Sequence, residues 1–94
     1  MSFVNLRTPF FVMVFFSTTD TISTEKELQK KFRTMIIPTP REISKSCGFA
    51  IRFSDAAEED IIAASKLVEA PHTLYFINYE DEGGRTARFV EGVF

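Results

Sequence analysis

The chain has 94 residues, enough for one small domain, and its 45% hydrophobic and 26% charged residues are the composition of a globular chain, not a disordered one. A net charge of −2 offers no general attraction for nucleic acid. One cysteine and one histidine exclude an intrachain disulfide framework and a multi-cysteine zinc site.

Residues 1–8 read as a short leader and residues 9–16 as a central strand. The run Phe10-Phe11-Val12-Met13-Val14-Phe15-Phe16 is apolar on both alternating faces, whereas a strand wet on one face alternates polar and apolar residues. It falls far short of the ~20 apolar residues that span a bilayer. It also ends in Ser17-Thr18-Thr19-Asp20, unlike a signal peptide. A cytoplasmic protein that does not engage a membrane is expected, with its thiol reduced.

Ser17 followed by Asp20 is a capping-box pattern that starts a helix over residues 18–32, with Ile22, Leu28 and Phe32 on its buried side. Lys26, Lys30, Lys31 and Arg33 cluster here, but Glu25 and Glu27 are interleaved with them, the pattern of a solvated helix face and not of a nucleic-acid surface. Residues 33–39 hold a second strand, ended by Pro38. Residues 48–53 alternate as a third, with Phe49, Ile51 and Phe53 on one face. Ser54-Asp55 with Glu58 repeats the capping pattern. Ala57, Ile61, Ala64 and Val68 then recur at helical spacing up to Ala70, and Pro71 closes the helix. Residues 73–79 form a fourth strand, residues 80–84 a loop, and residues 85–94 a weak edge strand or a tail.

This order predicts an α+β fold, a ferredoxin-like βαββαβ sandwich with an antiparallel sheet and two helices on one face. A single domain spans residues 1–94, with a core over about 9–79 and an extension, a possible extra strand, over 80–94. Two helices cover one face only. The eleven phenylalanines therefore suggest a homo-oligomer, or a partner, on the Phe-rich open face, against the alternative of a sheet that simply exposes some Phe.

The topology brings three connections to one end of the sheet: residues 17–20, 38–47 and 70–73. Cys47 lies in the second. The start of the first helix offers unpaired N–H groups and partial positive charge, and Arg41, Lys45 and His72 add cations; all favour a thiolate. Ser44 and Ser46 offer hydrogen bonds to an anion, and Gly48 leaves room for approach. Each residue also has a plainer reading: Cys47 as a small buried apolar residue, Arg41 as a surface partner of Glu42 or another carboxylate, and His72 as a solvent-exposed turn residue. No phosphate loop, metal-ligand spacing or serine-hydrolase order is present, so no cofactor and no metal are expected.

The stretch Pro38-Thr39-Pro40-Arg41-Glu42-Ile43-Ser44-Lys45-Ser46-Cys47-Gly48, followed by an apolar strand ending in Arg52-Phe53, resembles a family of small bacterial proteins named as selenium/sulfur carrier-like. The resemblance runs from about residue 10 to 68. It implies a cytoplasmic carrier whose Cys47 holds sulfur or selenium as a persulfide or selenosulfide, with donor and acceptor proteins as partners. Residues 80–94 extend beyond the end usual in that family, and Lys45 stands where a small or polar residue is common. Two classes of function follow. One is a carrier or accessory protein, more than a self-contained enzyme. The other is a non-enzymatic, homo-oligomeric interaction or regulatory module in which Cys47 only packs.

Overall fold

A computed structural model describes residues 8–43, 48–80 and 84–93. Seven elements follow one another: β1 (Phe10–Phe15), α1 (Thr18–Leu28), β2 (Arg33–Pro38), β3 (Phe49–Ser54), α2 (Glu58–Leu67), β4 (His72–Tyr79) and β5 (Arg85–Val93). The strands form one antiparallel sheet in the order β2-β3-β1-β4-β5, an α+β architecture with β1 at its centre. The final segment is a full edge strand, paired with β4 from Tyr79↔Arg85 to His72↔Val93 and interrupted by one irregularity between Leu74 and Tyr75.

The two-faced apolar character of β1 has a direct structural counterpart. Successive side chains of a strand point to opposite faces. Met13 and Phe15 join Leu28, Ile51, Phe53, Ile61 and Leu74 in the core shared with the helices. Phe10 and Val12 join Ala50 and Ile77 in a second cluster on the other face. Val12, Met13, Ile51, Leu74 and Ile77 are fully buried, and each such side chain is worth roughly 1.5–3 kcal/mol of apolar burial.

The second cluster is covered from within the chain. Ile43, from the connection between β2 and β3, packs against it, and Pro40 beside it is buried. From the connection, Ile43 adds to the cover that the strand side chains Val14, Ile37, Tyr75, Tyr79 and Ala87 give this cluster. Exposed apolar side chains remain at its margins, Met35 on β2 and Phe89 on β5.

Both helices differ from their sequence-based limits. α1 stops at Leu28, four residues early, because the chain tightens there: Lys31 N and Phe32 N both donate to the Leu28 carbonyl, at 3.0 and 2.8 Å. Phe32 still reaches the core, edge-on to Phe53. The buried stripe of α1 is Thr21, Glu25 and Leu28, and Ile22 is 45% exposed. Polar residues occupy the inner face because they are satisfied there. The Thr21 hydroxyl donates to the Ser17 carbonyl at 3.0 Å. The Glu25 carboxylate accepts from Gln29 Nε2 at 2.8 and 2.6 Å and from Thr34 Oγ1 at 2.6 Å.

α2 begins at Glu58 behind Ala57, which makes no side-chain cap. The expected cap at Ser54-Asp55 fails because Asp55 turns the chain instead, with φ of 55°. The helix ends at Leu67, short of Ala70, since Val68 is extended.

Candidate functional site

The sheet register brings the three expected connections to one edge. Phe15 lies opposite His72, Val14 opposite Ala50, and Pro38 opposite Phe49. The end of β1, the β2–β3 connection and the start of β4 therefore share that edge. α1 begins there too: Ser17 Oγ accepts from Asp20 N at 3.0 Å, the cap that the Ser-x-x-Asp spacing predicts. Thr21 Oγ1 lies 3.5 Å from the Phe49 carbonyl, so the first turns of α1 rest beside the base of the β2–β3 connection.

That connection is closed at its neck, where Thr39 N donates to the Gly48 carbonyl at 2.9 Å. A Cβ built on Gly48 would meet Thr39 Oγ1 at 3.5 Å, an ordinary contact. Crowding at the neck therefore does not force a glycine at position 48. Ser44, Ser46 and Cys47, together with Lys45, lie outside the described residues.

Residues 40–43 are a tight turn, with Ile43 N donating to the Pro40 carbonyl at 3.0 Å. Each side chain has a different fate. Pro40 is buried, Arg41 is exposed, and Ile43 packs on the open face of the sheet. Glu42 accepts two hydrogen bonds from Arg85 at the start of β5: Nη2 to Oε1 at 2.7 Å and Nε to Oε2 at 3.2 Å. These bonds hold the Glu42 carboxyl below its ordinary value, against a smaller desolvation effect, with the charges of Arg85 and Arg41 helping. The same bonds raise the Arg85 guanidinium above its own ordinary value. Arg41 thus acts on Glu42 through its charge, while the hydrogen bonds come from Arg85, and Arg41 itself is exposed within the connection that carries Cys47.

His72 is not an exposed turn residue. It is fully buried as the first residue of β4. Its Nδ1 lies 2.7 Å from the Ala70 carbonyl and its Nε2 lies 2.7 Å from Ser65 Oγ. A carbonyl only accepts, so Nδ1 donates to Ala70; Nε2 and the Ser65 hydroxyl share the second hydrogen bond, with the hydroxyl donating when the ring is neutral. Both ring nitrogens are engaged inside the protein, and the ring sits 5.5 Å from that of Phe15.

Sequence reasoning missed Ser65, tied to His72 seven residues on across the α2–β4 connection, and Arg85, tied to Glu42 across 43 residues. For Arg85 the available signal was an acidic residue flanked by Pro40 and Ile43, which bind that turn to the sheet and hold its carboxylate in reach of a neighbouring strand. The edge also carries exposed apolar side chains that periodicity assigned elsewhere: Phe16 at 75%, Ile22 at 45% and Phe49 at 45%. A groove of about 810 Å³ lies between the helices, lined by Leu28, Phe32, Ala64, Leu67 and Val68, and no described residue of the β2–β3 connection lines it. Among the described residues, no three His, Cys, Asp or Glu side chains gather as a metal site, and no helix is long and apolar enough to cross a membrane.

Searches of curated proteins and of solved structures each returned no match. A family model described as "Putative Se/S carrier protein-like" matches residues 10–69, more than half of the chain, from the first residue of β1 to just beyond α2. The matched span contains the Pro40–Arg41–Glu42–Ile43 turn, Cys47 and Gly48, and by this match the chain belongs to the Se/S carrier protein-like family.

Proposed function

We propose that the protein carries sulfur, or selenium, on Cys47, receiving it from a donor protein and passing it to an acceptor. The observation that carries this reading is the family match, which runs through the one cysteine of the chain. Supporting it, the described base of the Cys47 connection lies at the same edge as the capped start of α1, where partial positive charge favours an anion. Arg41 stands exposed one residue before the Glu42 anchor. Ser44 and Ser46 would donate to the cargo, and Gly48 would leave approach room. His72, with both ring nitrogens taken, supports the scaffold more than the chemistry.

The proposed transfer is an exchange without net oxidation. The Cys47 thiolate attacks the outer sulfur of the donor's persulfide. A bond forms between Cys47 Sγ and that sulfur, the donor's S–S bond breaks, and the donor leaves as a thiolate. Delivery repeats the step, with an acceptor nucleophile attacking the outer sulfur and Cys47 leaving as thiolate. A selenosulfide would form and break in the same way. The protein is then a cytoplasmic carrier or accessory protein, one unit over residues 1–94. Its scaffold is read as ferredoxin-like, because the sheet order from the other side places β4-β1-β3-β2 together with β5 added at the edge.

The test is to incubate the protein with a persulfide donor and weigh it intact. One added sulfur on the wild type and none on Cys47→Ala is expected. An unmodified wild type overturns the reading. The second reading, an oligomeric interaction module, draws on exposed Met35 and Phe89 at the two margins of the open face. Light scattering on eluting protein separates it from a monomeric carrier.

A further inference from the structure

The turn at residues 40–43 is held to the sheet by two unlike interactions. One is apolar, through buried Pro40 and through Ile43 on the cluster of Phe10, Val12, Ala50 and Ile77. The other is the bidentate pair between Glu42 and Arg85, residues 43 positions apart in the chain. Two parallel N–H···O bonds fix both the distance and the orientation of the carboxylate, which a single ion pair does not. Arg85 lies outside residues 10–69, the span that marks the family. It is also fixed in its own right: it stands opposite Tyr79 as the first residue of β5, and the preceding chain reversal is closed by Glu80 N donating to the Gly84 carbonyl at 2.9 Å.

A second arginine of β5 provides an internal contrast. Arg88 pairs with Glu58 of α2 at 3.3 Å and lies over the ring of Phe76. It binds β5 to the helical layer and does not touch the β2–β3 connection. Among the described residues, Arg85–Glu42 is the β5 ion pair that joins the C-terminal strand to the segment that leads into Cys47.

We propose that Arg85 is a positioning residue: through Glu42 it holds the β2–β3 connection against the open face of the sheet, and so sets the reactivity of Cys47 from a strand beyond the family-matched region. The thiol part of this proposal rests on the carrier reading; the holding part does not. Removing the guanidinium leaves the turn held, among the described residues, by the packing of Ile43 and by the neck bond from Thr39 N to the Gly48 carbonyl. The turn's own hydrogen bond, Ile43 N to the Pro40 carbonyl, then opens more often. Arg41 and the rest of the turn at residues 40–43 are then held less firmly relative to the start of α1, and on the carrier reading their effect on the thiol is diminished.

The experiment measures two quantities on the wild type and on Arg85→Ala, Arg85→Lys, Glu42→Gln and Arg88→Ala, with the charge-reversed double variant Glu42→Arg/Arg85→Glu as the rescue. The first quantity is amide exchange over residues 39–48. The second is the pH profile of Cys47 alkylation by a small neutral reagent. Arg85→Ala and Glu42→Gln are expected to speed exchange at Ile43 about two- to fivefold and to slow alkylation at neutral pH by a similar factor, with the profile moved to higher pH. The two changes combined add little beyond either one. Arg85→Lys falls between, the double variant recovers part of the loss, and Arg88→Ala leaves the segment unchanged. Unchanged exchange in Arg85→Ala overturns the proposal. Faster exchange with an unmoved alkylation profile, in a protein whose wild-type thiol is activated, overturns its positioning half. A wild-type thiol with an ordinary profile counts against the carrier reading instead, and the holding role then stands or falls on exchange alone.

Discussion

Ser65 Oγ lies 2.7 Å from Nε2 of His72, joining α2 to β4 at a point where both residues are fully buried. The pair gives the imidazole its second partner, the first being the Ala70 carbonyl. Ser65→Ala leaves a buried ring nitrogen without a hydrogen bond, which costs about 1–3 kcal/mol. Urea unfolding is expected to show a lower midpoint with an unchanged slope. A variant as stable as the wild type would mean that the ring turns to another partner.

The Glu42–Arg85 pair makes stability depend on pH in a defined direction. The folded carboxyl sits below its ordinary value of 4.5 because it accepts hydrogen bonds from Arg85. A group whose pKa is lowered by folding contributes stability that is complete above the unfolded value and is lost as pH falls through the folded one. Arg85, raised from an already high value, contributes throughout the accessible range. The pair is partly exposed, with side chains 32% and 28% accessible, so its worth is small, about 0.2–1 kcal/mol. Glu42→Gln is therefore expected to lower stability at neutral pH by that amount and to match the wild type in strong acid. Unfolding midpoints measured across the acid range, at low and high salt, check both the sign and the screening.

Ile43 carries the apolar half of the same attachment. Ile43→Ala removes part of the cover over Phe10, Val12, Ala50 and Ile77. Because Ile43 is half-buried, a loss of about 1–2 kcal/mol is expected, below the ~2–5 kcal/mol of a fully buried isoleucine. Ile43→Asp is expected to bind a fluorescent apolar dye more strongly and to associate at high concentration, since it uncovers the sheet. A monomeric, dye-silent Ile43→Asp would show that the face does not depend on this residue for its cover.

The inner face of α1 offers a sharp contrast between two neighbouring side chains. Ile22 is 45% exposed, whereas Thr21 beside it is buried and hydrogen-bonded. Ile22→Gln is expected to change stability by no more than about 0.5 kcal/mol. Thr21→Val removes a hydroxyl satisfied by the Ser17 carbonyl and is expected to cost about 1 kcal/mol. Chemical denaturation of the two variants side by side tests which stripe faces inward; the reverse ranking would restore the apolar stripe.

Legibility from sequence followed the range of the interaction. The strands were readable because the signal is local. The unbroken apolar run of β1 announced two covered faces, and the alternation of β3 placed Ile51 and Phe53 together. The cap at Ser17 was readable for the same reason, since its partner is three residues away. The α1 stripe was misread because periodicity counts apolar residues, while Thr21 and Glu25 are buried as polar groups with their own hydrogen bonds. The start of α2 was misread because Ser54-Asp55 has the composition of a cap, yet Asp55 takes a left-handed turn.

By itself, the amino-acid order determined the kinds of element, the central position of β1 and the family to which the chain belongs, because each is written in short patterns along the backbone. Only the folded chain decided that Ile43 would cover the open face, that Glu42 would meet Arg85 and that His72 would lie inside against Ser65. Those outcomes depend on side chains brought together by tertiary packing, across 43 residues for Glu42 and Arg85 and across the α2–β4 junction for Ser65 and His72. Charge and hydrophobicity say that such groups need partners, but the sheet register selects which partner stands within reach.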